Sequence, residues 1–223
     1  MKRLFKKNFI NILIGFFIIC HSTAAFSAAP AIVNLVFDAS GSVSETDFHL
    51  ANQIASEFAE LLYQRSQVRI GERSDWLSVN WFGGAKNNQD YEIYPFFNCS
   101  DRSRLVYLSN TLQEKQHPKY GQTAIYNAIL IGSAHVAQQS FMLPGDYLKV
   151  VILVTDGEDN DSSIYDKNSV KQLFPNDQIF LFVVGVGNGA KVDAFKPYAI
   201  SVSQIDSFNE LLATLTIFLE FIP

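Results

Sequence analysis

Runs of mainly apolar residues, separated by polar and glycine-rich segments, divide this chain into alternating strands and helices. Residues 32–37, 150–154 and 179–184 are short and mainly apolar, which is typical of parallel strands that are covered on both faces. A polar turn between two further strands predicts that these two pair antiparallel at one edge. The full set of six predicted strands is residues 32–37, 76–82, 91–97, 150–154, 179–184 and 198–202.

Apolar residues between the strands recur at helical spacing. Residues 44–47 form a capping sequence, and the helix after them carries Ala51, Ile54, Phe58 and Leu62 on one face. Further helices are predicted at residues 101–113, 123–139 and 207–221, the last with a capping box of Ser207 and Glu210. The alternation predicts an α/β, doubly wound, mostly parallel six-stranded sheet with one antiparallel edge strand and helices on both faces.

The N-terminal segment has the three regions of a secretory signal peptide. Lysines and an arginine at residues 2–7 precede an apolar stretch at residues 9–20, and small residues follow up to Ala29. We therefore predict a signal peptide at residues 1–27 and a single domain at residues 28–223. The predicted location is the periplasm, the cell surface or the medium, with no membrane insertion after the signal is removed. Cys20 makes a lipoprotein a minor alternative.

Charge and cysteine content narrow the range of partners. Removing residues 1–27 leaves 13 basic and 22 acidic residues, a net charge of −9. An acidic surface without a basic stripe argues against nucleic acid as a partner and leaves metal cations and proteins. Cys99 would be the only cysteine of the mature chain, so it is either buried or paired with another molecule.

Three oxygen-bearing segments stand where predicted strands end or a helix begins. Asp38, Ser40 and Ser42 follow the first strand, Thr123 opens a helix, and Asp156 follows the fourth strand. In open α/β sheets, ligands bind beyond the carboxyl ends of the strands. Mg²⁺ and Mn²⁺ prefer oxygen ligands, so we predict a divalent cation site. Gly41 is expected to allow backbone angles that a side chain would resist.

These segments resemble the metal-ion-dependent adhesion site of the von Willebrand factor A (vWA) domain family, which has a Rossmann-like fold. The resemblance implies that Ser40 and Ser42 bind the metal directly and that Asp38 binds it through water. It implies that Thr123 and Asp156 complete the protein's share of the ligands, with Mg²⁺ or Mn²⁺ as the cofactor. It also implies a protein partner whose glutamate or aspartate carboxylate finishes the shell, in adhesion or another protein–protein interaction and not in an enzymatic reaction. In the family, ligand binding is often linked to movement of the last helix.

Four alternatives to this interpretation stay open to different degrees. Asp38 and Asp156 could belong to ordinary turns and caps that hold no ion. A hydrolase with Ser40 or Ser42 as nucleophile is disfavoured, since no histidine follows Asp156 and neither serine lies in a nucleophile elbow. A phosphoryl-transfer enzyme using Asp38 would want a second acid where Ser40 stands. A structural subunit of an envelope or surface assembly, in which the ion only stiffens the loops, is the main alternative.

Other candidate groups carry weaker signals. Glu158, Asp159 and Asp161 could form a second cation site, but a solvated acidic loop is the commoner case. Residues 185–189 are glycine-rich but lack the spacing of a phosphate-binding loop, so they predict a turn. The histidines at positions 49, 117 and 135 show no metal-ligand spacing. The sequence leaves the oligomeric state undetermined.

Overall fold

The structure is a computed structural model of the chain. It describes residues 29–68, 73–84, 90–162, 165–174 and 178–220. The predicted signal peptide at residues 1–27 lies outside the described residues.

A seven-stranded mixed sheet forms the centre of the fold. Its neighbouring strands follow the order β3-β2-β1-β5-β6-β7, and β4 pairs with β2 as well. The short strands β3 and β4 run antiparallel to β2, and all other neighbours are parallel. The strands are β1 Ala31–Asp38, β2 Trp76–Phe82, β3 Tyr91–Glu92, β4 Phe97–Asn98, β5 Leu148–Thr155, β6 Ile179–Val186 and β7 Ser201–Ile205.

Helices cover both faces of this sheet. They are α1 Glu45–Gln67, α2 Arg102–Glu114, α3 Ile125–Met142, α4 Lys167–Leu173 and α5 Leu211–Glu220, with 3₁₀ turns at Val192–Phe195 and Phe208–Glu210. The apolar cores divide accordingly, with α1, α2 and α5 on one face and α3 and α4 on the other. None of the helices in the described ranges is long and apolar enough to cross a membrane.

Strand β1 shows why helices must cover both faces of the sheet. All eight of its residues are buried. Because side chains alternate along a strand, Leu35 and Phe37 join the core on the α1 face, while Ile32 and Val36 join the core on the α3 face. The predicted fold class is thus confirmed, with helices packed against two apolar faces of one mostly parallel sheet.

The predicted antiparallel strand at residues 91–97 is divided into β3 and β4, so the sheet has seven strands where six were predicted. Polar side chains of β2 bond the backbone between the two pieces. Ser78 Oγ donates to the Tyr94 carbonyl at 2.7 Å, and the Tyr94 N–H donates to Asn80 Oδ1 at 2.7 Å. These bonds replace the regular ladder, and Pro95 has no N–H with which to extend it.

Several strands and helices begin or end at residues other than those predicted from the sequence. The last strand is Ser201–Ile205 and not residues 198–202, because the N–H groups of residues 198 and 199 both donate to the Phe195 carbonyl in a turn. The capping box at Ser207 is wrong: its side chain makes no cap hydrogen bond to the described residues, and the segment starts as a 3₁₀ turn. Helix α4 was not predicted, although Asp166 and Ser169 form a capping box at its start.

Candidate metal centre

The candidate site lies where β1 and β5 end, at the centre of the sheet. After β1 the chain moves to β2 on one side, whereas after β5 it moves to β6 on the other. This reversal of strand order opens a crevice, which is where ligands bind in open α/β sheets. The register pairs Phe37 with Val154, so the residues that follow, Asp38 and Thr155, end up beside each other.

The loop after β1 is held by backbone hydrogen bonds on both sides. The Ala39 N–H donates to the Phe82 carbonyl at 2.8 Å, and the Ala39 carbonyl accepts from the Tyr120 N–H at 3.1 Å. Within the loop, the Ser40 N–H donates to Asp38 Oδ1 at 2.9 Å. The loop therefore turns sharply while Asp38 and Ser40 stay buried and Ser42 is exposed.

Hydroxyl and carboxylate oxygens then connect this loop to the end of β5. Ser40 Oγ lies 3.1 Å from Ser42 Oγ, and Ser42 Oγ donates to Asp156 Oδ1 at 2.9 Å. The bond from Ser42 to Asp156 joins residues that are 114 positions apart in the sequence. Four of the five predicted site residues are thus linked, since Asp38 already holds the Ser40 backbone.

Thr123 lies in the loop before α3 and belongs to the same site. It is buried, its N–H donates to Asn160 Oδ1 at 2.9 Å, and its carbonyl accepts from the Asn160 N–H at 3.0 Å. A Cβ on Gly157 would lie 3.6 Å from Thr123 Oγ1 and 4.0 Å from Ser42 Oγ. Both hydroxyls therefore lie close to the bare backbone of Gly157, and the structure brings all five predicted residues together.

Burial changes the acidity of both carboxyl groups. Loss of solvent raises the pKa of Asp38 from 3.8 to about 6, although hydrogen bonds from Thr155 and Ser40 oppose the shift. Burial also raises the pKa of Asp156, with a smaller contribution from the nearby charge of Asp47. Ionised carboxylates in such surroundings are destabilised unless a positive charge compensates them. A bound cation would stabilise the ionised form of both carboxyl groups.

Several residues that position the site were missed by sequence reasoning. Thr155 Oγ1 donates to Asp38 Oδ2 at 2.6 Å, and Asn160 holds both backbone groups of Thr123. Asp159 Oδ1 accepts from the Ile125 N–H at 2.7 Å and so caps α3 from a remote loop. Short-range sequence patterns contain no signal for such contacts. Asn160 lies between the candidates Asp159 and Asp161, yet the sequence predicted no role for it.

The second cation site that Glu158, Asp159 and Asp161 could have formed finds no support, as the sequence analysis favoured. Asp159 already serves as the cap of α3, and Glu158 forms an ion pair with Lys191. Within the part of the chain that the structure describes, no three His, Cys, Asp or Glu side chains come together as metal ligands do. The main candidate site is a different case, because three of its five side chains are hydroxyls.

Gly41 does not have the role that the sequence predicted. Its φ angle lies outside the left-handed region, so no unusual backbone conformation requires glycine here. A Cβ at this position would lie 3.4 Å from the carbonyl oxygens of Tyr120 and Gly121. These distances are close to those of ordinary van der Waals contact, so the space around this position does not require glycine either.

The three candidate histidines do not come together as metal ligands within the described residues. His49 is exposed on α1 and lies 3.6 Å from a carboxylate oxygen of Glu45. His117 is buried, stacks on Phe48 with 4.7 Å between ring centroids, and has Nε2 at 3.3 Å from the Ala39 carbonyl. His135 packs against Phe96. Each has a packing or surface role, as expected of isolated histidines.

The donor set fits a hard divalent cation. Hydroxyls of Ser40, Ser42 and Thr123 and carboxylates of Asp38 and Asp156 are all oxygen donors, and they come from three separate loops around one crevice. Among the described residues no cysteine thiolate belongs to this donor set, since Cys99 is buried in the α1-face core.

The sequence matches the family model for the von Willebrand factor type A domain over residues 33–208. The chain belongs to the von Willebrand factor type A domain family. The match runs from β1 to the start of the last helical segment, so it covers the sheet and every loop of the candidate site. No curated protein sequence matches this vWA domain.

Solved structures share the fold of this vWA domain at low sequence identity. Proximal thread matrix protein 1 from the mussel byssus matches with a TM-score of 0.66 and 18% identity, over 85% of this chain and 47% of its own. A second structure of that protein, with a zinc-occupied MIDAS motif, matches with a TM-score of 0.65 and 20% identity over the same shares. The pilus adhesin SpaC from Lactobacillus rhamnosus GG has a TM-score of 0.66 and 14% identity, over 88% of this chain and 31% of its own. This chain therefore spans less than half the length of these proteins.

Proposed function

We propose that this vWA domain binds Mg²⁺ or Mn²⁺ through Asp38, Ser40, Ser42, Thr123 and Asp156. The bound ion would accept a glutamate or aspartate carboxylate of a partner protein as its last ligand. The domain's function is then adhesion or another metal-dependent protein–protein interaction, and it is a binding protein and not an enzyme.

One observation carries this proposal. The oxygens of Ser40, Ser42 and Asp156 form a continuous chain of contacts at 3.1 and 2.9 Å, and a Cβ on Gly157 would lie within 4.0 Å of both Thr123 Oγ1 and Ser42 Oγ. Side chains from three loops, with no shared short-range pattern, are arranged so that their oxygens converge. A set of ordinary turns would not need to place them in one crevice.

The composition of the site supports the proposal that the domain leaves the metal's coordination shell incomplete. The three hydroxyls are neutral, and Asp38 has each carboxylate oxygen already engaged by a hydrogen bond from Ser40 or Thr155. An ion held mainly by neutral oxygens keeps most of its positive charge, and Mg²⁺ requires six ligands. A carboxylate from outside the domain would both neutralise the remaining positive charge and supply a missing ligand.

The names of the fold neighbours support this proposal. One is named a pilus adhesin, and another was solved with a zinc-occupied MIDAS motif. Together with the sequence of residues 1–27, they support export of this domain to the periplasm, the cell surface or the medium.

Thermal unfolding with added cation tests the metal site. Millimolar Mg²⁺ or Mn²⁺ should raise the melting temperature of the wild type, because a ligand that binds only the folded state stabilises it. Asp38→Ala should remove this response. Asp146→Ala is the matched control. Asp146 is exposed in the loop before β5, at the opposite end of this strand from the site. An unchanged melting curve for the wild type would refute metal binding.

Capture of partners with and without chelator tests the bridging role. Proteins retained by the wild type in Mg²⁺ should be released by EDTA and should not bind Thr123→Val. Amidation of the captured protein's carboxylates should abolish rebinding. Partners that persist in EDTA, while Mg²⁺ still shifts the melting temperature, would indicate that the ion only stiffens the three loops.

A further inference from the structure

A cavity of about 300 Å³ lies directly beside the proposed metal centre. It is bounded by residues 82–84 at the end of β2 and by the first turns of α3. Ala124 lines it and is the next residue after Thr123. A partner segment that placed a carboxylate at the metal would have its neighbouring residues over this cavity.

The walls of the cavity are mostly apolar. Phe82 and Tyr91 contribute from the sheet, Ile131 contributes from α3, and Ile93 lies at the exposed side with half of its surface accessible. Lysine and arginine side chains bury their methylene stems on such surfaces while the charged end stays at the rim.

The cavity is also lined by a carboxylate that has no counterion among the described residues. Asp90 forms no ion pair with any of the described residues, whereas Lys115, Lys119 and Lys191 pair with other acids. A Cβ on Gly84, which also lines the cavity, would lie 3.2 Å from Asp90 Oδ2. The Asp90 carboxylate thus lies close to the backbone at the end of β2, and its charge favours a cation in this part of the cavity.

A buried amide adds a second recognition group. Asn127 is 5% exposed and lines the cavity. Its Oδ1 accepts from the Tyr165 N–H at 3.1 Å, and this bond determines which end of the amide is oxygen. Nδ2 is left as a donor for which the described residues supply no acceptor, and a backbone carbonyl of a bound peptide would satisfy it.

We propose that this cavity is a pocket for a lysine or arginine side chain of the same partner segment that supplies the carboxylate. The inference rests on the proposed function and extends it to the partner's chemistry. The methylene stem lies against Phe82, Tyr91 and Ile131, the cation pairs with Asp90, and Asn127 bonds the partner's backbone. The partner segment therefore carries a basic residue close to its metal-binding acid.

An NMR titration in EDTA tests the pocket separately from the metal. The probe is n-butylguanidinium chloride, which has a stem and a cation, and 1-pentanol is the uncharged comparison. Saturable shifts of the Ile93 and Ile131 methyl signals are expected for the guanidinium. Asp90→Asn should weaken binding of the guanidinium about fivefold or more. The wild type should bind 1-pentanol more weakly than the guanidinium by a similar factor. Equal binding of pentanol, or unchanged binding by Asp90→Asn, overturns the inference.

Two further variants keep this test decisive. Ile93→Ala truncates an exposed wall residue and should weaken guanidinium binding without a loss of folding. Asp146→Asn makes the same charge change at the opposite end of β5 from the site and should leave binding unchanged. Failure of guanidinium binding overturns the pocket and leaves the metal proposal standing. Absence of an Mg²⁺ response in the melting experiment overturns the metal proposal and, with it, the shared partner segment.

Discussion

Thr155 Oγ1 donates a 2.6 Å hydrogen bond to Asp38 Oδ2 and so joins the carboxyl ends of β1 and β5. Thr155 is fully buried and Asp38 is 3% exposed, so water has little access to this carboxylate. The bond orients Asp38 before any ion arrives. It does not offset the loss of solvent, which raises the pKa of Asp38 to about 6.

The stability of the metal-free domain should therefore decrease as pH rises through about 6. Because the pKa of Asp38 is about 6 in the folded domain and 3.8 for a fully solvated aspartate, the folded form binds more protons between these values. The stabilising contribution is complete below the lower pKa and is lost above the higher one, a change of about 3 kcal/mol at most. Urea unfolding in EDTA at about pH 5 and about pH 7.5 measures about half of this change, since pH 5 lies between the two pKa values.

Asp38→Asn isolates this contribution from the titration of other groups. The variant should be more stable than the wild type in EDTA at about pH 7.5, by about 1 to 3 kcal/mol, and should lose the response to Mg²⁺. For the wild type, Mg²⁺ should stabilise much more at the higher pH than at the lower. A variant less stable than the wild type at both pH values would contradict the proposed penalty for the buried charge.

Substitutions at Thr123 should separate its hydroxyl from its shape. Thr123→Val keeps the volume and removes the oxygen, and it should weaken Mg²⁺ binding about tenfold or more. Thr123→Ser keeps the oxygen and should bind within a few fold of the wild type. Isothermal titration calorimetry measures both affinities. Equal affinities for the two variants would remove Thr123 from the ligand set.

Gly83 should tolerate no side chain. A Cβ there would overlap the Cβ of Tyr120, whose backbone N–H holds the Ala39 carbonyl. Gly83→Ala should lower the free energy of unfolding by about 1 to 3 kcal/mol and weaken Mg²⁺ binding, because residues 120–123 must shift. Gly121→Ala is the control: its Cβ would meet nothing within 4 Å, and the variant should behave as the wild type.

Asp75 should be important for stability and unimportant for metal binding. Its fully buried carboxylate accepts from the Ala31 N–H at 2.8 Å and lies 3.5 Å from Arg65 Nη1. Asp75→Ala leaves the start of β1 and a guanidinium of α1 without this partner, at a cost of about 3 kcal/mol or more. Urea unfolding gives the change, and the remaining folded protein should keep its wild-type rise in melting temperature with Mg²⁺.

The alternation of strands and helices could be predicted from the sequence because buried strands and amphipathic helices have characteristic apolar periods. The same patterns placed Asp38 and Asp156 just after strands and Thr123 near a helix start. Their convergence follows from topology, since parallel strands end at the same edge of a sheet. Irregular segments were predicted less well: the strand at residues 91–97 is interrupted where Ser78 and Asn80 bond Tyr94, and α5 starts at Leu211 without the predicted cap.

The sequence by itself determined the fold class, the family resemblance and the five site candidates, because each depends on local periodicity or on short motifs. Only the tertiary structure decided how those candidates are held. The bond from Thr155 to Asp38, the cap that Asp159 provides for α3 and the contact of Gly83 with Tyr120 join residues more than 30 positions apart. Such contacts leave no pattern along the chain, since they depend on which strands and loops the folded sheet brings side by side.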